Sequence, residues 1–365
     1  MNDKDLLLEQ GQKRKKKRTP IGYIIAIVSL SIITLASLGI AYLSTMNLKN
    51  YIDEDKQTQT TVGGETNKLA TYTQEELDSI VASEVEDAKK EAIEQYRTDL
   101  KETAEKSNGI ISILRTMYPD YFVFYNKDHY EFTPIDESLP KPNFKNENIV
   151  ANEGFREYQV NGETKSIKGI DVSKYQGDIK WNKVADSGVK YAIIRVGIRG
   201  YETGKLVLDE NFEDNIKGAT DAGLDVGVYF VTQATSDAEA REEAAFVLEA
   251  IDGYTLKYGV ALDIEEVNKE EARTYKLTKD ERTQYAKTFV DTVEAAGVKG
   301  VIYGNLVTFG RLLNINDLGN YSKWFALYDS KIYFPYEVDM WQYSDSGSID
   351  GIDGKVDVNI TFPKE

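Results

Sequence analysis

The chain contains no cysteine and a single histidine, His129. The first absence excludes disulfides, thiolate nucleophiles and cysteine-ligated metals. The second excludes Ser-His-Asp catalysis and a multi-histidine zinc site. Acid–base chemistry must therefore come from carboxylates, tyrosine or lysine, and neither metal nor cofactor is expected. Beyond the N-terminal tail, basic residues are outnumbered by acidic ones. The net charge is −17, yet residues 1–20 hold seven basic against three acidic residues, +4, which leaves −21 for the remainder. No basic patch lies beyond that tail, so nucleic acid is not expected as a partner. His129 sits amid Asp128, Tyr130 and Glu131, and no role is assigned to it.

The basic run Lys13-Arg14-Lys15-Lys16-Lys17-Arg18 precedes an apolar, uncharged stretch over 21–44. That length suits a helix crossing a hydrocarbon core of ~30 Å. Positive charge on its N-terminal side places residues 1–20 in the cytoplasm and everything after the span outside. The expectation is a single-pass protein of the cell membrane. A cleaved signal peptide fits less well, because its apolar region is usually only ~7–15 residues long.

Residues 45–165 read as an extracellular linker, an amphipathic helix and a small connector region. Thr73-Gln74-Glu75-Glu76 has the form of a capping box. The helix it opens, 73–106, carries Leu77, Val81, Val85, Ala88, Ala92, Tyr96 and Leu100 at spacings of three and four. Such a stripe could pack on a downstream segment or support self-association. Residues 110–165 hold aromatic runs, Pro134, Pro140 and Pro142, and suggest two or three short strands in an extended connector.

From 166 to 365 the pattern becomes regular. Apolar, β-branched runs recur at 168–173, 191–197, 225–232, 259–265, 300–304, 323–328, 339–343 and 356–361. Helical stretches at 178–187, 209–222, 236–252, 278–296 and about 305–314 separate the first six. Alternation of buried strands with helices implies an α/β domain with a parallel sheet. Eight strands suit an irregular (β/α)8 barrel, TIM-like, short of helices after its sixth and seventh strands. Its chemistry would lie at the C-terminal strand ends.

The fourth run climbs to a pair of acids, Asp263-Ile264-Glu265. Strand residues two apart share a face, so both carboxyls would project together, and a partly dry cleft would keep one protonated beside its partner. Asp171 lies in the first strand and Asp357 in the last, neighbours in a closed barrel. Tyr175, Tyr229, Tyr303, Trp324, Tyr328, Trp341 and Tyr343 occupy comparable positions. An acidic floor walled by aromatics suits a carbohydrate, whose C–H faces stack on rings.

Several of these motifs recur together in a known family. Gly169-Ile170-Asp171-Val172-Ser173-Lys174-Tyr175-Gln176-Gly177 with Ile179-Lys180-Trp181, Tyr229-Phe230, Asp263-Ile264-Glu265, Trp324-Phe325-Ala326-Leu327-Tyr328, Trp341-Gln342-Tyr343-Ser344 and Val356-Asp357-Val358-Asn359 resemble, in order, the glycoside hydrolase family 25 muramidases (lysozymes). The resemblance covers about 167–362. It implies hydrolysis of the β-1,4 bond between N-acetylmuramic acid and N-acetylglucosamine in the glycan strands of peptidoglycan. Glu265 would be the general acid, Asp263 its partner, and Asp171 and Asp357 further acids of the cleft. With such a substrate the acetamido carbonyl can itself attack the anomeric carbon while Asp263 orients the acetamido N–H. An inverting route with Asp263 or Asp171 as base is the rival. A muramidase outside the membrane, facing the wall, fits a Gram-positive bacterium; a wall-binding or scaffold protein that kept the barrel is the alternative.

Overall fold

Strands β6 (Lys168–Val172), β7 (Tyr191–Arg199), β9 (Asp225–Val231), β10 (Val260–Asp263), β11 (Gly300–Asn305), β12 (Ser322–Ala326), β13 (Met340–Gly347) and β14 (Val356–Thr361) pair side by side, and β6 closes on β7 to complete a barrel. This computed structural model describes residues 73–106 and 109–363. The expected cytoplasmic tail (1–20), membrane span (21–44) and linker up to 72 lie outside the described residues. Among the described residues, no helix is long and apolar enough to cross a membrane.

Seven of the barrel strands run parallel, as the alternation implied, but β14 runs antiparallel to both β13 and β6. The reason is the connection. Only residues 348–355 join β13 to β14, whereas a parallel crossover takes a dozen or more. The turn is made with Gly351 and Gly354 at φ 97° and 98°, a region that side chains disfavour.

Helices α3 (Trp181–Asp186), α4 (Phe212–Asp221), α5 (Asp237–Ala250) and α6 (Lys279–Ala295) follow the early strands. Ser236 caps α5 by accepting from Glu239 N, and Thr278 and Glu281 form a capping box on α6. The helix expected at 305–314 is instead an irregular turn, π-helical over Thr308–Leu312. Among the described residues, no helix follows β12 or β13.

Strand alternation sorts the side chains into two cores. In β10, Ala261 points into the barrel with Tyr191, Ile193, Val301, Trp324 and Met340. Val260, Leu262 and Ile264 point outward among the helices. Asp263 therefore falls on the inner face, at the strand's C-terminal end.

The barrel's helix-poor side is covered by residues the sequence placed in a separate connector. The compact unit begins at Met117, not at 166. It includes hairpin β1 (Tyr121–Asn126) and β2 (His129–Pro134), and the antiparallel strands β3 (Ile149–Asn152), β4 (Phe155–Val160) and β5 (Glu163–Thr164). Phe122, Phe124, Phe144 and Tyr158 are buried in the same core as the barrel. Phe144 stacks on Phe362 at 5.0 Å, and Phe122 meets Phe334 edge-on at 5.6 Å. Asn143 and Asn146 each give and take a hydrogen bond with the backbone of Val338 and Ile332. The contacts to Ile332, Phe334 and Val338 fall on the segment between β12 and β13, where a regular barrel would carry a helix.

The other unit ends at Thr116. Its long helix α1 (Gln74–Lys106) opens with the expected capping box: Thr73 N donates to Glu76 Oε2 at 2.7 Å and Glu76 N to Thr73 Oγ1 at 3.2 Å. A shorter helix, α2 (Ile110–Met117), follows.

Candidate active site

A cleft of about 580 Å³ opens at the C-terminal mouth of the parallel strands, lined by Asp171, Asp263, Glu265 and Asp357. Three segments deliver these four acids. Asp171 stands near the end of β6, Asp263 ends β10, and Glu265 follows two residues later in the loop. Asp357 is the second residue of β14 and pairs in register with Asp171. It reaches the mouth at the start of its strand because that strand is reversed.

Asp171 is 4% exposed. One carboxylate oxygen, Oδ2, accepts from Asn359 Nδ2 at 2.7 Å and Gln342 Nε2 at 2.8 Å. Gln342 Oε1 in turn accepts from Tyr303 OH at 2.7 Å and Tyr328 OH at 2.9 Å. Asn359 Oδ1 accepts from the Trp324 indole at 2.8 Å. The floor of the cleft is thus a continuous polar network in which Asp171 Oδ2, Gln342 Oε1 and Asn359 Oδ1 are all satisfied.

Burial pushes Asp171 up to about 6, against the pull of its donors. Asp357 is pushed up to about 8, first by burial and then by the neighbouring Asp171 charge. Asp357 therefore holds the proton and Asp171 the charge near neutrality, the usual outcome for two crowded carboxyls.

Asp263 is 6% exposed, and its Oδ1 has no hydrogen-bond partner among the described residues. Burial first, then repulsion from Glu265 and Asp171, raises its pKa well above the usual carboxylate range, partly opposed by Arg195. Glu265 reaches solvent at the rim yet is crowded by protein, and burial raises it too. The neighbouring Glu266 points away, where Lys127 and Arg311 hold it as an ion pair.

Of the aromatics expected here, Tyr229, Tyr303, Trp324 and Tyr328 line the cleft. Tyr175 does not; it stands 77% exposed beyond the lining, its ring 5.0 Å from the Arg195 guanidinium. Trp341 and Tyr343 are corrections. Both face the outer core, and the Trp341 indole donates to Leu327 O at 2.9 Å. They flank Gln342 on β13, so alternation sends them outward as it sends Gln342 inward. Gln342, Asn359 and Arg195 were missed as site residues. Each is a polar side chain at an inward position of an otherwise apolar strand, which is the signal that finds them. Arg195 is held in place by the buried Asp209 at 2.6 Å.

Residues 170–352 match the family described as glycosyl hydrolases family 25. The chain is 29% identical over 196 residues to the autolytic lysozyme of Clostridium acetobutylicum, a region that is 53% of this chain and 55% of that protein. It is 27% identical over 209 residues to lysozyme M1 of Streptomyces globisporus, 54% of this chain and 68% of that one. The modular autolysin LytC from Streptococcus pneumoniae, solved in complex with a synthetic peptidoglycan ligand, aligns at 28% identity and a TM-score of 0.48 over 58% of this chain and 52% of that chain. The chain thus spans only about half the length of the clostridial and pneumococcal proteins. The family match takes in Asp171, Asp263 and Glu265 and extends over half of the sequence, and the protein belongs to the glycosyl hydrolases family 25.

Proposed function

We propose that the protein is a muramidase that hydrolyses the β-1,4 bond between N-acetylmuramic acid and N-acetylglucosamine in peptidoglycan. The observation that carries this reading is the convergence of Asp171, Asp263, Glu265 and Asp357 on one aromatic-walled cleft. Membership of the family, and relatives named as lysozymes, point the same way.

The residues divide the work by environment. A leaving sugar oxygen needs a proton, and a carboxyl of raised pKa can supply it near neutrality. Glu265 has that property and is the acid that reaches the cleft's solvent. Asp263 Oδ1, buried and unpaired, is an acceptor awaiting a donor such as the substrate's acetamido N–H. That bond would favour the ionised form of Asp263 and leave the proton with Glu265. Asp171, Gln342, Asn359 and Asp357 fix the floor, Tyr303 and Trp324 back it from the core, and the rings of Tyr229 and Tyr328 offer faces to the sugars.

The proposal includes tethering. The basic run at 13–18 and the apolar stretch over 21–44 support a single membrane span with the barrel outside, facing the wall. Tethering would raise the local concentration of enzyme at its substrate. The helix over 73–106 would act as a spacer, and its apolar stripe could mediate self-association.

The test is mass spectrometry of fragments released when the full chain is incubated with purified peptidoglycan. Fragments with N-acetylmuramic acid at the reducing end are expected. Binding without release of fragments would replace the enzyme by a wall-binding or scaffold protein.

A further inference from the structure

The hairpin β1–β2 lies outside the residues that match the family, yet it reaches the catalytic rim. Its inner side is fixed to the barrel. Phe124 is fully buried against Gly310, where a Cβ would stand 2.2 Å from the ring. Thr133 Oγ1 donates to Gly310 O at 2.8 Å. The tip is fastened to the loop that carries Glu265: Lys127 Nζ meets Glu266 Oε2 at 2.6 Å, and Arg311 bridges Glu266 and Glu131.

Tyr125, next to the buried Phe124, faces the other way. It is 54% exposed, its ring 5.1 Å from that of Tyr130, its cross-strand partner. It forms one wall of a second cavity of about 610 Å³ whose other wall includes Leu306, Val307 and Leu327. Glu265, Tyr303 and Tyr328 line both this cavity and the cleft. The second cavity is therefore a continuation of the first on the far side of the acid.

We propose that the hairpin completes a further sugar subsite in which Tyr125 stacks on the apolar face of a neutral N-acetylhexosamine ring. The proposal rests on the glycosidase reading above. If Glu265 protonates the bridging oxygen, the ring across that oxygen enters the cavity beyond Glu265. The lining selects the occupant. It is mostly apolar and aromatic, with Asn305 and the acid Glu265 as its polar members and no basic side chain, so it offers the anionic peptide stems of the wall no counter-charge and accepts a neutral pyranoside.

The test uses the full chain carrying Glu265→Gln, so that binding is read without turnover. Peptide-free glycan oligomers of two and of four sugars are titrated calorimetrically into this protein with and without Tyr125→Ala or Tyr125→Phe. Removing the stacking face should weaken the four-sugar oligomer about 10-fold, the order of one aromatic contact, with an unchanged melting curve. Tyr125→Phe should bind within about 2-fold of the parent, because the ring is retained. Equal affinity in Tyr125→Ala, or no binding of any oligomer, overturns the subsite. Loss of affinity in Tyr125→Ala, alongside a native chain that releases no fragments from peptidoglycan, keeps the subsite and removes the hydrolase reading.

Discussion

Asp357 stands directly opposite Asp171 across the β14–β6 pair, and one proton serves both carboxyls. The pairing exists because β14 is reversed; a parallel last strand would carry its second residue to the other end of the barrel. It also ties stability to pH. In the folded protein Asp357 gives up its proton at about 8, against an ordinary 3.8. Between those values the unfolded chain has lost the proton and the folded one keeps it, so the contribution is fully present below about 4 and is lost as pH rises through about 8.

Asp357→Asn removes that dependence while keeping a hydrogen-bond donor toward Asp171. Relative to the native protein, the variant should gain stability steadily from pH 4 to pH 8. We expect a gain of about 1–2 kcal/mol at the upper end, moderated by solvent screening at the cleft. Thermal melts of both proteins across that range measure it. A difference that stays constant with pH would contradict the shared proton.

Glu265→Gln keeps the shape of the rim and abolishes proton donation. Activity on peptidoglycan should fall roughly 10²-fold or more, with glycan binding retained. Because burial raises the Glu265 pKa, the native rate should decline on the alkaline side as this group ionises. That limb should be missing from the residual rate of the variant. Near-native turnover in Glu265→Gln would refute the assignment.

Much of the site was legible because strand alternation and chemistry agreed. Asp263-Ile264-Glu265 shows its acids two apart after an apolar run, and the structure turns Ile264 into the outer core while Asp263 and Glu265 line the cleft. The same rule, applied to Trp341-Gln342-Tyr343, was followed toward the wrong side. Aromatic residues suit both a sugar platform and a core, and nothing in the tripeptide says which face is which. Gln342 decides it, since a buried glutamine needs partners, and the polar groups of the cleft, Asp171, Tyr303 and Tyr328, supply them. The direction of β14 could have been read from its short connection. The role of residues 117–165 could not, because Phe122, Phe144 and Tyr158 meet the barrel through contacts distant in sequence, and Pro140 and Pro142 suggested a linker.

The packing of residues 117–165 on the barrel has a measurable consequence. A chain beginning at 166 exposes the surfaces that Phe122, Phe124, Phe144 and Tyr158 cover, at roughly 1.5–3 kcal/mol for each large apolar side chain removed. It also strands the backbone groups of Ile332 and Val338 that Asn146 and Asn143 satisfy. Such a chain should aggregate or melt without cooperativity, whereas one beginning at 117 should melt in a single transition. Calorimetry on both settles the boundary, and a cooperative 166–365 fragment would restore the original one.

The final prediction concerns Asp263 and the stereochemistry. An unmade hydrogen bond at a buried oxygen costs about 1–3 kcal/mol, so a cleft that leaves Asp263 Oδ1 unpaired gains when a ligand donor arrives. The substrate's 2-acetamido N–H is such a donor. Once held, its carbonyl oxygen can attack the anomeric carbon, the substrate-assisted route, and the ionised Asp263 stabilises the positive charge that develops. Asp263→Asn cannot supply that charge and should lower the rate by about 10² or more. A glycan whose acetamido group has been deacetylated should be a correspondingly poor substrate for the native protein. If one interaction underlies both effects they will not add, and the variant should hardly distinguish the two glycans. The new reducing end should appear first as the β anomer, before mutarotation. A proton NMR time course in which the α anomer leads, or full additivity of the two changes, would instead assign Asp263 or Asp171 as the base of an inverting reaction.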